Sequence, residues 1–427
     1  MSDSTTRRTF LKTATAATGI LPATSSAHVL GANDRIRLGM IGVGGMGSEH
    51  LSLLMKQSEE KADIAVVAVS DIYQARKDRA QALAHLPASA VHHDYRDLLN
   101  RADVDAVFIE APDHWHAQMA LDALAAGKDV YLQKPMTLTL EEARAVTAAV
   151  KKHQRVLQVG SQHLSDERYH RARAIIQSGE IGDLLWAQTT YSGNVFTGYW
   201  NYRIEPEAAP STLDWNRWLG PAPKRPFSAE RYFRWRKYWD YSSGIASDLY
   251  YHRLAPLMFA MNVPAPTRVC GAGGIYVQKD REVPDTFACL IEFPACYIAV
   301  SGSTAAALSN TYMPPVIYGH KGAIVFEHSA VHVVHEPLFG QAAGNDVRID
   351  TGDDHLHLAH IRNFLDCMRS RNEPRLGPEL GERTMAAIRL GVDSYRQDRL
   401  LLNGRPPARS SYQGDGKNNP TATTIYG

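Results

Sequence analysis

Several residue groups in this 427-residue chain have types and spacings that could do chemistry. Gly42-x-Gly44-x-x-Gly47 follows the apolar run Ile36–Val43 at once, and a helix-like segment runs from Ser48 to Lys56. A strand that ends in such a turn and opens a helix leaves backbone N–H groups pointing outward at a helix N-terminus. The helix dipole adds positive potential there, and the geometry suits a pyrophosphate. A second apolar strand, Ile64-Ala-Val-Val-Ala-Val-Ser, ends in Asp71, in the position where an acid binds ribose hydroxyls. Gly42, Val43, Gly44, Gly45, Met46, Gly47, Asp71 and Ile72 are therefore candidate contacts to a dinucleotide. The acid favours NAD, because a carboxylate repels a 2′-phosphate. Arg76 and Lys77 could change that and leave NADP open, although a solvated helix face is the plainer expectation for both.

Other candidates lie at the ends of later strands. Ala111-Pro-Asp-His-Trp-His116 fits a loop under a nicotinamide or its ribose, which adds Ala111, Pro112, Asp113 and His116 to the cofactor contacts; Asp113 is also a candidate helix N-cap. Tyr131-Leu-Gln-Lys-Pro-Met136 places Gln133 and Lys134 at the ligand edge, and a cis peptide before Pro135 would aim the lysine. In Tyr241 to His252, Asp248 and His252 are four apart and would share one face of a helix. A carboxylate holding an imidazole beside a lysine makes an acid–base cluster, able to take the proton of an alcohol as hydride leaves the same carbon. A helix-surface pair or a satisfied core histidine would look the same. Val159-Gly-Ser-Gln-His163 could bring Gln162 to the cofactor and His163 to a substrate, with Tyr191 and Trp239 beside it. The run from Gly352 to His360 could put Asp354, His357 and His360 on one face, but a polar loop leading into a capped helix explains it better, and no metal is expected.

The elements that must hold these residues follow from periodicity. Short apolar strands alternate with amphipathic helical stretches from Ile36 to Val159, at Ile36–Val43, Ile64–Val69, Ala106–Glu110, Asp129–Leu132 and Arg155–Val159. That is a parallel sheet of βαβ units, with ligands at the carboxyl ends of its strands. After Gly160 the texture changes. Helices are expected at Arg168–Gly179, His357–Ser370 and Gly381–Asp398, and strands at Leu184–Tyr191, Arg268–Tyr276, Thr286–Phe293, Cys296–Ser303, Met313–Gly319, Gly322–His328 and Val331–His335. The turns Phe293-Pro-Ala-Cys296 and His320-Lys-Gly322 make antiparallel hairpins. The fold class is thus α/β: an N-terminal parallel-sheet domain (28–160), then an α+β domain with a largely antiparallel sheet (161–400) and a tail or arm (401–427). The aromatic-rich stretch from Ser192 to Asp240 either covers a sugar-like ligand or packs beneath its own loop.

Composition narrows the class further. The formal charge is +1, from 46 basic and 45 acidic residues, which argues against a dedicated nucleic-acid binder. The 4 cysteines include no CxxC and fit neither a disulfide framework nor a structural zinc site. No apolar run is long enough to span a membrane. Thr6-Arg-Arg-Thr-Phe-Leu-Lys12, a weakly apolar run and Ser25-Ser26-Ala27 form a twin-arginine leader, residues 1–27, so the mature chain is expected to begin near His28 in the periplasm.

Taken jointly, Gly42-x-Gly44-x-x-Gly47, Asp71, Ala111-Pro-Asp-His-Trp-His116, Lys134-Pro135, Gly160-Ser-Gln162, Gly244-x-x-x-Asp248-x-x-x-His252 and His360-x-x-Asn363-Phe364 resemble the Gfo/Idh/MocA oxidoreductases, in their exported twin-arginine branch. The resemblance implies an N-terminal Rossmann domain, a second domain with an open, predominantly antiparallel sheet, a nicotinamide cofactor between them and a carbohydrate or polyol substrate. Lys134 then matches a lysine that touches substrate and helps proton transfer, and Asp248 and His252 match the acid and histidine of the helix motif, with His252 as the acid–base. The family usually has Glu-Lys-Pro where this chain has Gln133-Lys134-Pro135, so Lys134 is expected to lack one anionic neighbour. Export implies a cofactor retained through the cycle. That fits paired oxidation and reduction of sugars, or transient oxidation that assists cleavage of a glycoside; a sugar-binding protein without catalysis is the remaining alternative. An open sheet face implies a homodimer or homotetramer by analogy.

Overall fold

The computed structural model describes residues 35–342, 346–352 and 355–403. The leader, Asp354 and most of the expected C-terminal arm lie outside them.

Strands β1 (Ile36–Ile41), β2 (Ile64–Ser70), β3 (Val91–His92), β4 (Ala106–Ile109), β5 (Asp129–Gln133) and β6 (Leu157–Gly160) form one sheet in the order β3-β2-β1-β4-β5-β6, and every neighbouring pair is parallel. The helices between them are α1 (Gly45–Lys61), α2 (Gln74–Leu83), α3 (Asp113–Ala125) and α4 (Leu140–His153). α4 starts cleanly because Thr139 and Glu142 form a reciprocal capping box. The apolar runs are continuous rather than alternating because helices cover both faces of the sheet. Strand order reverses between β1 and β4, and the loops that follow β1, β4 and β5 open onto the crevice at that point.

The chain then passes through α5 (Glu167–Ser178) into β7 (Leu184–Thr190), which becomes the middle of a second sheet. With β8 (Arg268–Gly274), β9 (Thr286–Glu292), β10 (Tyr297–Ser303), β11 (Val316–Gly319), β12 (Gly322–Phe326), β13 (Ala330–His335), β14 (Val347–Asp350) and β15 (Leu401–Leu402), it makes nine strands in the order β14-β13-β12-β11-β7-β10-β9-β8-β15. Pairing is antiparallel except between β7 and β10. Both expected hairpin turns are present. β3, β14 and β15 carry too few residues to show a period, and the sequence does not reveal them.

Helices α6 (Ile245–Asp248), α7 (Tyr251–Ala260), α8 (Leu356–Ser370) and α9 (Pro378–Arg396) complete the elements that matter here. α9 crosses β8 so closely that a Cβ at Gly271 would sit 2.0 Å from the Gly391 carbonyl oxygen. Asp248 and His252 are not on one helix, as expected, but on successive helices, α6 and α7. Glycine 244, at φ +59°, opens the first of these.

The aromatic segment packs beneath its own loop. Trp215, Trp218, Tyr232, Phe233 and Tyr241 make a core of their own with Tyr73 from the first sheet's edge. Backbone bonds tie the segment down: the Gln74 N–H donates to Thr212 at 3.0 Å and the Asp214 N–H donates to Ile72 at 3.2 Å. The indole of Trp115 donates to the Trp218 carbonyl at 2.7 Å. The segment is therefore a strap that runs across the carboxyl edge of the parallel sheet. No helix among the described residues is long and apolar enough to cross a membrane.

Candidate active site

One cavity of about 410 Å³ extends along that edge. Of the sequence candidates, Gly42, Gly44, Gly45, Met46, Asp71, Ile72, Ala111, Pro112, Gln133 and Lys134 line it, and the strap supplies the opposite wall through Tyr202, Trp218, Tyr232, Phe233 and Arg236.

The glycine turn is built as the spacing implies. Gly42 sits at φ +84°, and a Cβ there would meet the Glu110 carbonyl at 2.8 Å; one at Gly47 would lie 2.2 Å from the Gly42 carbonyl. Both clashes are with backbone, so neither can relax cheaply. Gly44 caps α1 with no side-chain hydrogen bond, which leaves the first N–H groups of a 17-residue helix facing the cavity. Val43 does not face it: its side chain is buried and its N–H donates to Asp71 Oδ2 at 2.9 Å. Asp71 Oδ1 accepts from the Tyr73 N–H at 2.9 Å. The acid thus clips two loops together while lining the cavity, and each oxygen keeps a lone pair for a ribose hydroxyl. Lys77 stays on the outer helix face beside His93. Arg76, expected on that face too, instead folds inward: its guanidinium lies 4.8 Å from the Tyr232 ring centroid and would meet a Cβ at Gly44 at 2.9 Å. These residues fit a dinucleotide: bare helix N–H groups for its phosphates and an acid for its ribose.

Of the chemistry-bearing candidates Lys134 lines the cavity, whereas Asp248, His252 and His163 do not. Lys134 precedes Pro135 through a cis peptide. Its Nζ donates to Asp248 Oδ1 at 2.6 Å and to the Asp248 carbonyl at 2.8 Å. Asp248 also accepts from Arg236 Nε at 2.9 Å and from the Trp200 indole at 2.9 Å. Burial alone would raise the Asp248 carboxyl, but Arg236 and Lys134 outweigh it and hold the group well below the ordinary carboxylate range. Lys134 therefore does have an anionic neighbour, across the domains rather than at 133. Trp200 pays for its place with φ +64°, a left-handed conformation unusual for an aromatic residue.

His252 is not oriented by Asp248, as the spacing suggested. Its Nδ1 lies 3.0 Å from Ser161 Oγ, its ring meets His163 edge-on at 5.2 Å, and Tyr191 at 6.1 Å. Burial, reinforced by Lys134 and His163, pushes the imidazole well below its usual pKa, so it is neutral at pH 7. His163 is likewise pushed down to about 4 by burial and Arg253, and its Nδ1 has no hydrogen-bond partner among the described residues.

Several candidates fall outside both clusters. Asp113 is not the N-cap of α3; Pro112 is, and the Asp113 carboxylate turns away from the cavity to accept from Ser247 Oγ at 3.3 Å. His116 places its ring nitrogens 2.6 Å and 2.7 Å from the carbonyls of Pro135 and Ala111, stapling two loops rather than touching a ligand. Gln162 pairs with His357 at 2.9 Å. Trp239 packs under Arg396 and lines no part of the cavity. His357 and His360 belong to different networks; His360 bonds Ser165 and the Val159 carbonyl. Arg236, Trp200, Ser161 and Glu110 are the site residues that sequence reading missed. Of these Glu110 carried a signal, as an acid at the end of a parallel strand beside the switch point, and Ser161 lay inside the Gly160-Ser-Gln162 motif.

A Rossmann domain whose nucleotide cavity is shared with an open-sheet domain defines a class of dinucleotide-binding proteins, and comparison with known proteins narrows it. Residues 36–161 match the Gfo/Idh/MocA oxidoreductase family's NAD-binding Rossmann fold, and residues 168–270 match its C-terminal alpha/beta domain. Together these cover more than half of the chain, which belongs to this family. An inositol 2-dehydrogenase of Klebsiella pneumoniae is 34% identical over 188 residues, 43% of this chain and 54% of that protein. One from Burkholderia multivorans is 34% identical over 186 residues, again 43% and 54%. The matches thus span about half the length of these relatives. Among solved structures, a levoglucosan dehydrogenase in complex with NADH and levoglucosan superposes with a TM-score of 0.68 at 19% identity, covering 87% of this chain and 100% of that one. An aldose-aldose oxidoreductase from Caulobacter crescentus gives 0.65 at 16%, covering 86% and 100%. At such identities these two establish the fold.

Proposed function

We propose that this protein is an NAD-dependent oxidoreductase acting on a sugar, polyol or glycoside. The observation that carries the reading is the single cavity that joins the glycine turn and Asp71 to Lys134. The relatives named above support the substrate class. The bound dinucleotide supplies a hydride acceptor, and the chain supplies the rest. Lys134, fixed by Asp248, polarises the substrate oxygen. His252, kept neutral by burial, gives its Nδ1–H to Ser161 and keeps Nε2 as the base for the hydroxyl proton. Asp248 acts through Lys134 and Arg236, so its part is positional.

Arg7-Arg8 and the run that follows carry our further reading that the chain leaves the cytoplasm by the twin-arginine route. A dehydrogenase that exchanged cofactor freely would then have no supply, and the strap across the cavity supports a cofactor kept through the whole cycle. That same strap favours a second reading, redox-assisted cleavage of a glycosidic bond, in which no net oxidant is consumed. The stacked ladder Tyr297–Trp186–Tyr318 on the sheet, with Trp186 and Tyr318 at 4.3 Å, supports a homodimer or homotetramer. Denaturing the purified protein and identifying the released nucleotide tests the core of this reading. Stoichiometric NAD is expected; protein that contains none and binds none in solution would sink it. A screen of free sugars against glycosides then separates the two chemistries.

A further inference from the structure

Beneath the glycine turn lies a buried chain of side chains to which the reaction above gives no part. The side chain of Glu110, the residue after β4, is fully buried, as is that of His50 on α1, and Glu110 Oε1 lies 2.7 Å from His50 Nδ1. Glu110 Oε2 accepts from Gln133 Nε2 at 3.1 Å. The other end of the same amide, Gln133 Oε1, accepts from the Lys134 backbone N–H at 2.8 Å. The line of bonds thus runs from helix α1 to the backbone of the lysine at the reaction centre. It also passes under the phosphate turn, since a Cβ at Gly47 would lie 3.2 Å from Glu110 Cβ.

The direction of each bond is fixed by chemistry. A carboxylate can only accept, so Gln133 must present its NH₂ to Glu110 and its oxygen to Lys134. An amide meets both demands, and a carboxylate at 133 would meet only one. It would bring two buried anions within the 3.1 Å now spanned by a hydrogen bond. Such a pair repels until one of its members takes up a proton. The groups facing His50 are Glu49 on its own helix, Glu110 from β4, the Phe108 and Tyr131 rings, and His357 from α8, whose Nδ1 is 3.5 Å from His50 Nε2. Burial opposes a charge on His50, but Glu110 outweighs burial and the net shift is upward. His357 is shifted down by burial and by His50.

We propose that Glu110, paired with His50, is a positioning residue that sets the Gln133 amide and through it the backbone of Lys134. The carboxylate that steadies this lysine loop then comes from β4, and the neighbouring position 133 must stay an amide. The proposal rests on the oxidoreductase reading for its activity readout only.

The experiment compares the full-length protein with Gln133→Glu, Glu110→Gln and the exchanged pair E110Q/Q133E. Each is measured for bound NAD per chain, for turnover against pH, and for His50 protonation by NMR. Gln133→Glu is expected to lose roughly tenfold or more in kcat at pH 7, because the unshared charge displaces Lys134. It should recover as the pH falls, because a protonated carboxyl can donate as the amide did. The exchanged pair keeps every hydrogen bond and should restore kcat to within about threefold, with a flat profile. In Glu110→Gln, His50 should lose its proton at lower pH than in the unaltered protein. A Gln133→Glu variant with unaltered kcat and profile overturns the proposal, as does an exchanged pair no better than the single variant. If no sugar or glycoside is turned over, the oxidoreductase reading fails. The His50 titration then still decides the pair, since identical curves with and without Glu110 overturn it.

Discussion

The two halves of the candidate site are made in different ways. The nucleotide end is mostly backbone: positive-φ and close-packed glycines, bare helix N–H groups, and one acid that itself binds backbone. The chemical end is almost wholly side chain: Lys134 from β5's loop, Trp200 and Arg236 from the strap, Asp248 from α6, and His252 held by Ser161. A backbone site tolerates little change in its own residues and depends weakly on pH. A site of buried, mutually bonded side chains is sensitive to protonation and to the loss of any one partner. Acid should therefore act on the side-chain half and on the other buried imidazoles of the fold.

That gives the largest expected effect. His114 and His163 are held down to about 4 and His360 to about 3, in each case first by burial. A histidine with a lowered folded-state pKa is neutral in the fold but takes a proton when unfolded, below its ordinary value. Its contribution is therefore intact above about 6.5 and is lost as pH falls from there, at about 1.4 kcal/mol per pH unit for each group. His50, and Asp113 at about 7 through burial, are shifted up and work in the opposite sense, since the fold binds their protons more readily. They are outnumbered. The unfolding temperature should drop steadily from pH 6.5 to 4, and a flat profile over that window would mean that these imidazoles are not buried as described.

Two substitutions then separate structure from chemistry at that end. Asp248→Ala leaves Lys134 and Arg236 buried without their shared anion, and should cost about 3–5 kcal/mol of stability, read by denaturant unfolding. Lys134→Ala removes one cation and leaves Arg236 on Asp248. It should keep the fold and bound NAD while turnover falls by about 10²–10⁴. If Lys134→Ala destabilised as much as Asp248→Ala, the lysine would be structural and its assigned role wrong.

The same contrast explains what the sequence made legible. The glycine turn, Asp71 and the strand ends are contiguous and tied to one supersecondary unit, so spacing alone locates them. Lys134 was visible for the same reason. The partner of Asp248 was not, because spacing of four suggested His252 on one helix, whereas the chain breaks between α6 and α7. Arg236 and Trp200 lie in a segment without period, and only tertiary packing says which of its rings and cations face inward. Gln133 could be read as a lost charge until Glu110 was seen beside it. The antiparallel sheet was legible through alternation and hairpin turns, but not the parallel β7–β10 pair, which joins strands more than a hundred residues apart.

The nucleotide end yields the smallest effect and the closest test of the contrast. Asp71 is its one polar side chain of consequence: it accepts from Val43 and Tyr73, and in the proposed function it also meets the ribose. Asp71→Ser removes the negative charge and shortens the reach, while the glycine backbone and helix N–H groups remain. NAD affinity should therefore fall only about tenfold, the worth of one or two hydrogen bonds. NADP should bind better than before, because the repelling carboxylate is gone and Arg76, packed over Gly44, is left as the nearest charge to a 2′-phosphate. Arg76→Ala in the same background should cancel that gain without further loss of NAD binding. Titration calorimetry with both nucleotides reads all three values. If NADP gained nothing in Asp71→Ser, Arg76 would be a packing residue of the strap, and selectivity would lie in the backbone of the turn.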